Sequence, residues 1–232
     1  MYFILLNYVK KSDIYTMRIM IFGFILVYGY SLKINAQDSI PFTKDLILYE
    51  GLYLNYQEFR VNWPIPKEKI ITIINKNQLD FYSKLIEEDF IEYKERDGTI
   101  TKIQSNRVWG YCQNNTIYIN LDKNFFRIPI FGAISNFLGT VEVPVISQGY
   151  DPFMNAPMNS TQSRTREIRQ FLLEFYSGEV FPFSLEKTEE LLKRDDAIYK
   201  EYMTLSKKKR KEFATKYIRM YNEKHVVYFP KD

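Results

Sequence analysis

A single cysteine, Cys112, and a single histidine, His225, are all that the 232 residues contain of either type. That scarcity excludes a disulfide framework, a Cys/His zinc site and most Cys-His or Ser-His mechanisms. No DxD, HExxH or GxSxG motif and no phosphate-binding glycine loop occurs, so the chemistry tied to those patterns is not expected. Glycine and proline, nine of each, are too few for a low-complexity or collagen-like chain.

What is plentiful is apolar and aromatic surface. The chain is 46% hydrophobic, 26% charged and 17% aromatic, the composition of a globular protein. From Asp38 onward no internal repeat and no Gly/Ser-rich joint interrupts it, which favours one α+β domain over residues 38–232, sheet-rich to 183 and helical over 184–223.

The N-terminal segment reads as an export signal. Met17-Arg18 supplies a short basic start, Ile19 to Leu32 an apolar core, and Ala36 a small residue before polar Gln37. A bilayer-spanning helix needs about 20 apolar residues, and this run is shorter and diluted by Gly and Tyr. Cleavage after Ala36 is therefore expected, with 17–36 as signal peptide and 1–16 as an upstream extension. An uncleaved segment would be the only membrane attachment. Lys10, Lys11, Arg18 and Lys33 precede the proposed cut, as does one acid, Asp13, so the formal charge of +4 falls to +1 beyond it. A near-neutral body offers little to a polyanion, and no nucleic-acid partner is expected.

Beyond the signal, Asn55 has the side chain to cap a short helix that turns Phe59 inward, and Pro64 disfavours helix at Trp63. Ile91 and Tyr93 alternate with charged residues, and Arg96-Asp97-Gly98 reads as a tight turn. Val108 to Cys112 and Thr116 to Asn120, joined at Gln113-Asn114-Asn115, are rich in β-branched and aromatic residues. Together they predict an antiparallel meander, which Phe125–Ile130 and Gly139–Ile146 can extend, with Pro129 and Pro144 confining those strands to an edge or bulge. Residues 147–166 read as a long loop, a mobile flap or a disordered stretch. Ser177-Gly178 marks a hairpin between Phe171–Phe175 and Val180–Phe183. Ser184, Asp195 or Asp196, and Ser206 then cap three helices, the last carrying a stripe of Phe213, Tyr217, Ile218, Met220 and Tyr221.

Gly51-Leu52-Tyr53 with Tyr56-Gln57-Glu58-Phe59-Arg60, Val108-Trp109-Gly110-Tyr111 with Tyr118-Ile119-Asn120, Phe171-Leu172-Leu173 leading through Ser177-Gly178-Glu179-Val180, and the tail Tyr221-Asn222-Glu223-Lys224-His225 resemble a family of uncharacterised exported proteins of Bacteroidetes-type bacteria. The resemblance covers most of the chain beyond the signal, and the Ala36-Gln37 end is similar to that group's export signals. It implies a location and a lineage, with no catalytic or binding residue to carry over.

Several constellations contain residue types that can carry chemistry. Cys112, in an apolar strand, and His225, in the tail, read as an inert buried thiol and a surface imidazole. Adjacent acids at Glu87-Glu88-Asp89, Glu189-Glu190 and Asp195-Asp196 could serve acid–base chemistry only if burial held one protonated. The basic run Lys207–Lys211 reads as a solvated helix face. Trp109, Tyr111 and Tyr118 could stack on sugars if one sheet face were open, and these are the weak binding candidates. No catalytic, cofactor or metal residue is predicted. The expected function is a non-enzymatic binding or structural component of the envelope, periplasmic or secreted, with an envelope protein or glycan as partner. A glycosidase-like envelope hydrolase using paired carboxylates is the alternative.

Overall fold

The computed structural model describes residues 39–43, 46–147, 150, 151, 156, 157 and 161–231. The signal segment proposed above lies outside the described residues. The architecture is α+β, with antiparallel strands throughout and the three longer helices gathered near the C-terminus.

In the first half, β1 (Ser39–Pro41), β2 (Gly51–Tyr53) and the short helix α1 (Tyr56–Arg60) precede β3 (Ile70–Ile71) and helix α2 (Phe81–Leu85). Strands β4 (Phe90–Lys94), β5 (Ile100–Gln104), β6 (Gly110–Gln113), β7 (Thr116–Leu121) and β8 (Asn124–Arg127) follow. These strands do not share one sheet. β3-β4-β5 form one and β2-β6-β7-β8 another, because the 3-10 turn Ser105–Arg107 separates the two hairpins. The turn residues are legible: Gly98 has φ +91, and Asn114, Asn115, Asp122 and Lys123 all have positive φ in the two hairpin turns of the second sheet.

Next come β9 (Ile134–Ser147), β10 (Tyr150–Asp151), β11 (Ala156–Pro157), β12 (Thr161–Glu174) and β13 (Val180–Pro182). β9 and β12 pair over their full 14 residues, from Ile134 with Glu174 to Ser147 with Thr161. This corrects the sequence reading of 147–166 as loop, since 161–166 belongs to strand β12. Arg164, Thr165, Arg166, Glu167 and Ile168 are all exposed, so no apolar alternation marked the strand. Pro144 stands in β9 at the sheet edge, where a missing N–H is tolerated.

Helices α3 (Leu185–Leu192), α4 (Asp196–Met203) and α5 (Lys207–Lys224) lead to β14 (Tyr228–Pro230). Ser184, Asp195 and Ser206 cap them, each side chain accepting backbone N–H bonds from the first turn. α5 buries Ala214, Tyr217, Ile218 and Tyr221, while Phe213 lies at the exposed border of the stripe. Asn222 locks this helix to β9 through paired 2.8 Å bonds with the Ile134 N–H and carbonyl. β14 pairs with β1, joining the two ends of the described chain.

The sheet β2-β6-β7-β8 is covered on both faces, as period-two alternation allows. Tyr53, Cys112, Ile117 and Ile119 point into a large core shared with β9, β12 and the C-terminal helices. Leu52, Tyr111, Tyr118 and Phe125 point into a smaller core closed by α2 and β4.

Candidate functional site

Burial of both faces decides the fate of the aromatic candidates. Tyr111 stacks between Tyr82 (5.5 Å) and Tyr118 (4.5 Å, rings 8° apart) inside the smaller core. Trp109 lies on the large-core side, stacked on Phe59 at 4.6 Å. The three rings are therefore divided between two faces, and each meets another ring of the chain.

The other candidates are also separated. Cys112 is fully buried and burial pushes its thiol up to about 12. His225 is stacked on Tyr221 at 4.3 Å with Nε2 2.7 Å from Asp195, so the imidazole belongs to Asp195. Asp195 also meets Lys224 at 2.6 Å, and that contact followed by the one to His225 holds its carboxyl well below the ordinary range. Glu189 pairs with Arg210 of the basic run at 2.7 Å. Among the described residues, no group of three or more His, Cys, Asp and Glu could hold a metal ion.

The site with open volume lies elsewhere. A cleft of about 1060 Å³ opens between the chain following α1 and the β4–β5 turn. Ile65 lines it and is held close against Gly51 of β2. Leu52 and Ile65 exchange backbone bonds of 3.0 and 2.7 Å, and a Cβ at Gly51 would lie 2.4 Å from the Ile65 carbonyl oxygen. Only glycine lets the two segments approach so closely. Asn62, left-handed at φ 50, accepts from the Tyr49 N–H and the Tyr53 hydroxyl, both at 3.0 Å, and so fixes the turn out of α1. This clasp turns Trp63 outward, where it remains 49% exposed.

Across the cleft, the β4–β5 turn is held by the Glu95 N–H on the Thr99 carbonyl (2.8 Å) and the Thr99 N–H on Asp97 (2.9 Å). It sets the Arg96 guanidinium over the Trp63 ring at 4.3 Å. No family model, curated protein or solved structure matches the chain. What the cleft does must therefore be read from its own chemistry.

Leu54, Val61, Pro64, Ile65 and Pro66 give it apolar walls, with acidic and basic groups around them. Glu58 lines it too. Burial pushes the Glu58 carboxyl up, against the opposing pull of the Leu54 N–H and Asn55. Its Oε2 accepts from the Leu54 N–H at 2.7 Å and its Oε1 from Asn55 Nδ2 at 3.1 Å, while the Glu58 N–H donates back to Asn55. That reciprocal arrangement is a capping box. Sequence reasoning placed Trp63 only as the position at which Pro64 disfavours helix. The signal it passed over was a tryptophan between a short helix and Pro64-Ile65-Pro66, where the prolines keep the chain extended beside it.

Proposed function

We propose that this is an exported, non-enzymatic binding protein of the cell envelope that seats a glycan chain in the Trp63 cleft. The observation that carries the reading is a half-exposed tryptophan in an apolar-walled cleft of about 1060 Å³. Ligand sites are concave, largely apolar and supplied with a few orienting polar groups, and a sugar ring presents an apolar face to an aromatic one. Export is supported by Arg18, the apolar run Ile19–Leu32 and the Ala36-Gln37 boundary. The resemblance to exported Bacteroidetes-type proteins points to the same compartment.

Tryptophan fluorescence tests the reading, because the chain has only Trp63 and Trp109. Titration with chitotetraose and with methyl-esterified tetragalacturonate should give a saturable change with at least one of them, absent in Trp63→Phe. A change that survives in Trp63→Phe would place binding outside the cleft and sink the proposal.

A second reading, an envelope hydrolase, draws on Glu58 and Glu95, which both line the cleft, and on the upward push on Glu58 that suits a general acid. The bonds to Leu54 and Asn55 commit both Glu58 oxygens to helix capping, which favours binding over catalysis. New reducing ends released from either oligosaccharide, and lost in Glu58→Gln, would reverse that preference.

A further inference from the structure

We infer that the cleft selects glycans bearing carboxylate groups, the sugar stacking at Trp63 while Arg96, Lys94 and Lys69 meet the acid. This rests on the glycan-binding reading and names its ligand class. All three cations line the cleft, and among the described residues none of them is in an ion pair. The acids beside them are differently placed. Glu58 has both oxygens held by Leu54 and Asn55, Glu95 accepts from the Thr101 hydroxyl at 2.7 Å, and Glu50 accepts from the Asn114 N–H at 2.6 Å. Each is turned to a neutral donor of its own chain, so the positive groups are left to an incoming ligand.

Geometry joins the two halves of the recognition. Arg96 stands at a turn pinned by Asp97 and Gly98 and already lies over Trp63. The stacking surface and the cation thus come from two segments that meet at the cleft. A guanidinium offers a planar fork that matches a carboxylate with two parallel bonds, which a neutral sugar cannot use. Lys94, two residues earlier on the end of β4, and Lys69, beside β3, add charge on the same side of the chain, since Ile70 and Tyr93 are paired neighbours.

The test is isothermal titration of the full chain with tetragalacturonate and with its methyl ester, a pair differing in charge at constant sugar framework. The acid should bind roughly tenfold or more tightly than the ester. That margin should shrink in Arg96→Gln and Lys94→Gln and with added salt, because the cations are solvent-exposed. Equal affinity for acid and ester, lost in Trp63→Ala, would overturn the carboxylate preference and leave the glycan cleft standing. A preference for the acid that both cation variants retain would overturn the assignment to these residues. No binding of either probe would overturn the inference, and the glycan reading falls with it only if chitotetraose gives no response either.

Discussion

The charged groups of the C-terminal helices and those of the Trp63 cleft are used in opposite ways. Around the helices, charges are spent on architecture. Asp195 caps α4 while meeting Lys224 and His225, Glu189 meets Arg210, and nearly buried Glu174 meets Arg194 and the Ser177 hydroxyl. At the cleft the acids serve neutral donors, and Lys69, Lys94 and Arg96 have no acidic partner among the described residues. A fold that needs a charge for stability supplies its counter-charge from within, whereas a site leaves the charge for something outside the chain.

The largest expected effect tests whether the two regions stand or fall together. Phe59 is fully buried among Tyr53, Trp109, Phe131 and Phe229, yet its helix also sends Glu58 to the cleft. Phe59→Ala should cost about 3–5 kcal/mol. Trp fluorescence and far-ultraviolet circular dichroism should lose their signals at the same denaturant concentration. A fluorescence transition that runs ahead of the helix transition would show that the cleft unfolds separately.

Glu174→Ala comes next. Burial pushes this carboxyl up, but the bonds from Arg194 and Ser177 outweigh it and hold it below its usual value. Arg194 is itself half exposed, so water screens the pair and the expected loss is about 1–2 kcal/mol by chemical denaturation. A loss indistinguishable from zero would remove the architectural role claimed for this pair.

Acid titration contrasts the regions by sign. Asp195 and Glu174 have depressed values in the folded state, so their stabilisation is complete above the ordinary 3.8 and 4.5 and is lost as pH falls through their folded values. Glu58 is raised, so its contribution is complete below 4.5 and is lost as pH rises through its folded value. Asp195→Asn should therefore weaken the protein at neutral pH and flatten its acid sensitivity. Glu58→Gln should narrow the gap in the other direction, because a side-chain amide oxygen can still accept the Leu54 N–H. Melting temperature from about pH 2 to 7, a range that extends well below the ordinary carboxylate values, measures both slopes. Parallel responses from the two variants would contradict the contrast.

How much was legible follows the reach of the interactions. Asn55, Ser184, Asp195 and Ser206 bond within their own first turns, so the helices could be read from local residues. The hairpin around Ser177-Gly178 and the turns at Gly98 and Asn114-Asn115 are equally local. The cleft was not legible because Gly51 meets Ile65, Asn62 meets Tyr49 and Tyr53, and Arg96 meets Trp63 only after the chain has folded back on itself. Trp109 packs on one face of the sheet and Tyr111 and Tyr118 on the other, a split that was not read from the sequence. What covers the Tyr111 face, Tyr82 of α2, comes from a stretch with no sequence prediction. The β1–β14 pairing was invisible for the same reason, its partners standing at opposite ends of the described chain.

The smallest expected effect is the one that most sharpens the contrast. Lys94 and Arg96 are exposed and outside any ion pair among the described residues, and Arg96 lies over the half-exposed Trp63 ring. Lys94→Gln should therefore change stability by no more than about 0.5 kcal/mol, and Arg96→Gln by little more, since an exposed cation–π contact is worth about 0.5–1 kcal/mol. Denaturation midpoints of these variants should stay close to wild type while that of Glu174→Ala moves clearly. If Lys94→Gln or Arg96→Gln were as costly as Glu174→Ala, the cleft cations would be structural after all. Near-silent stability effects would leave binding as the property on which those two charges act.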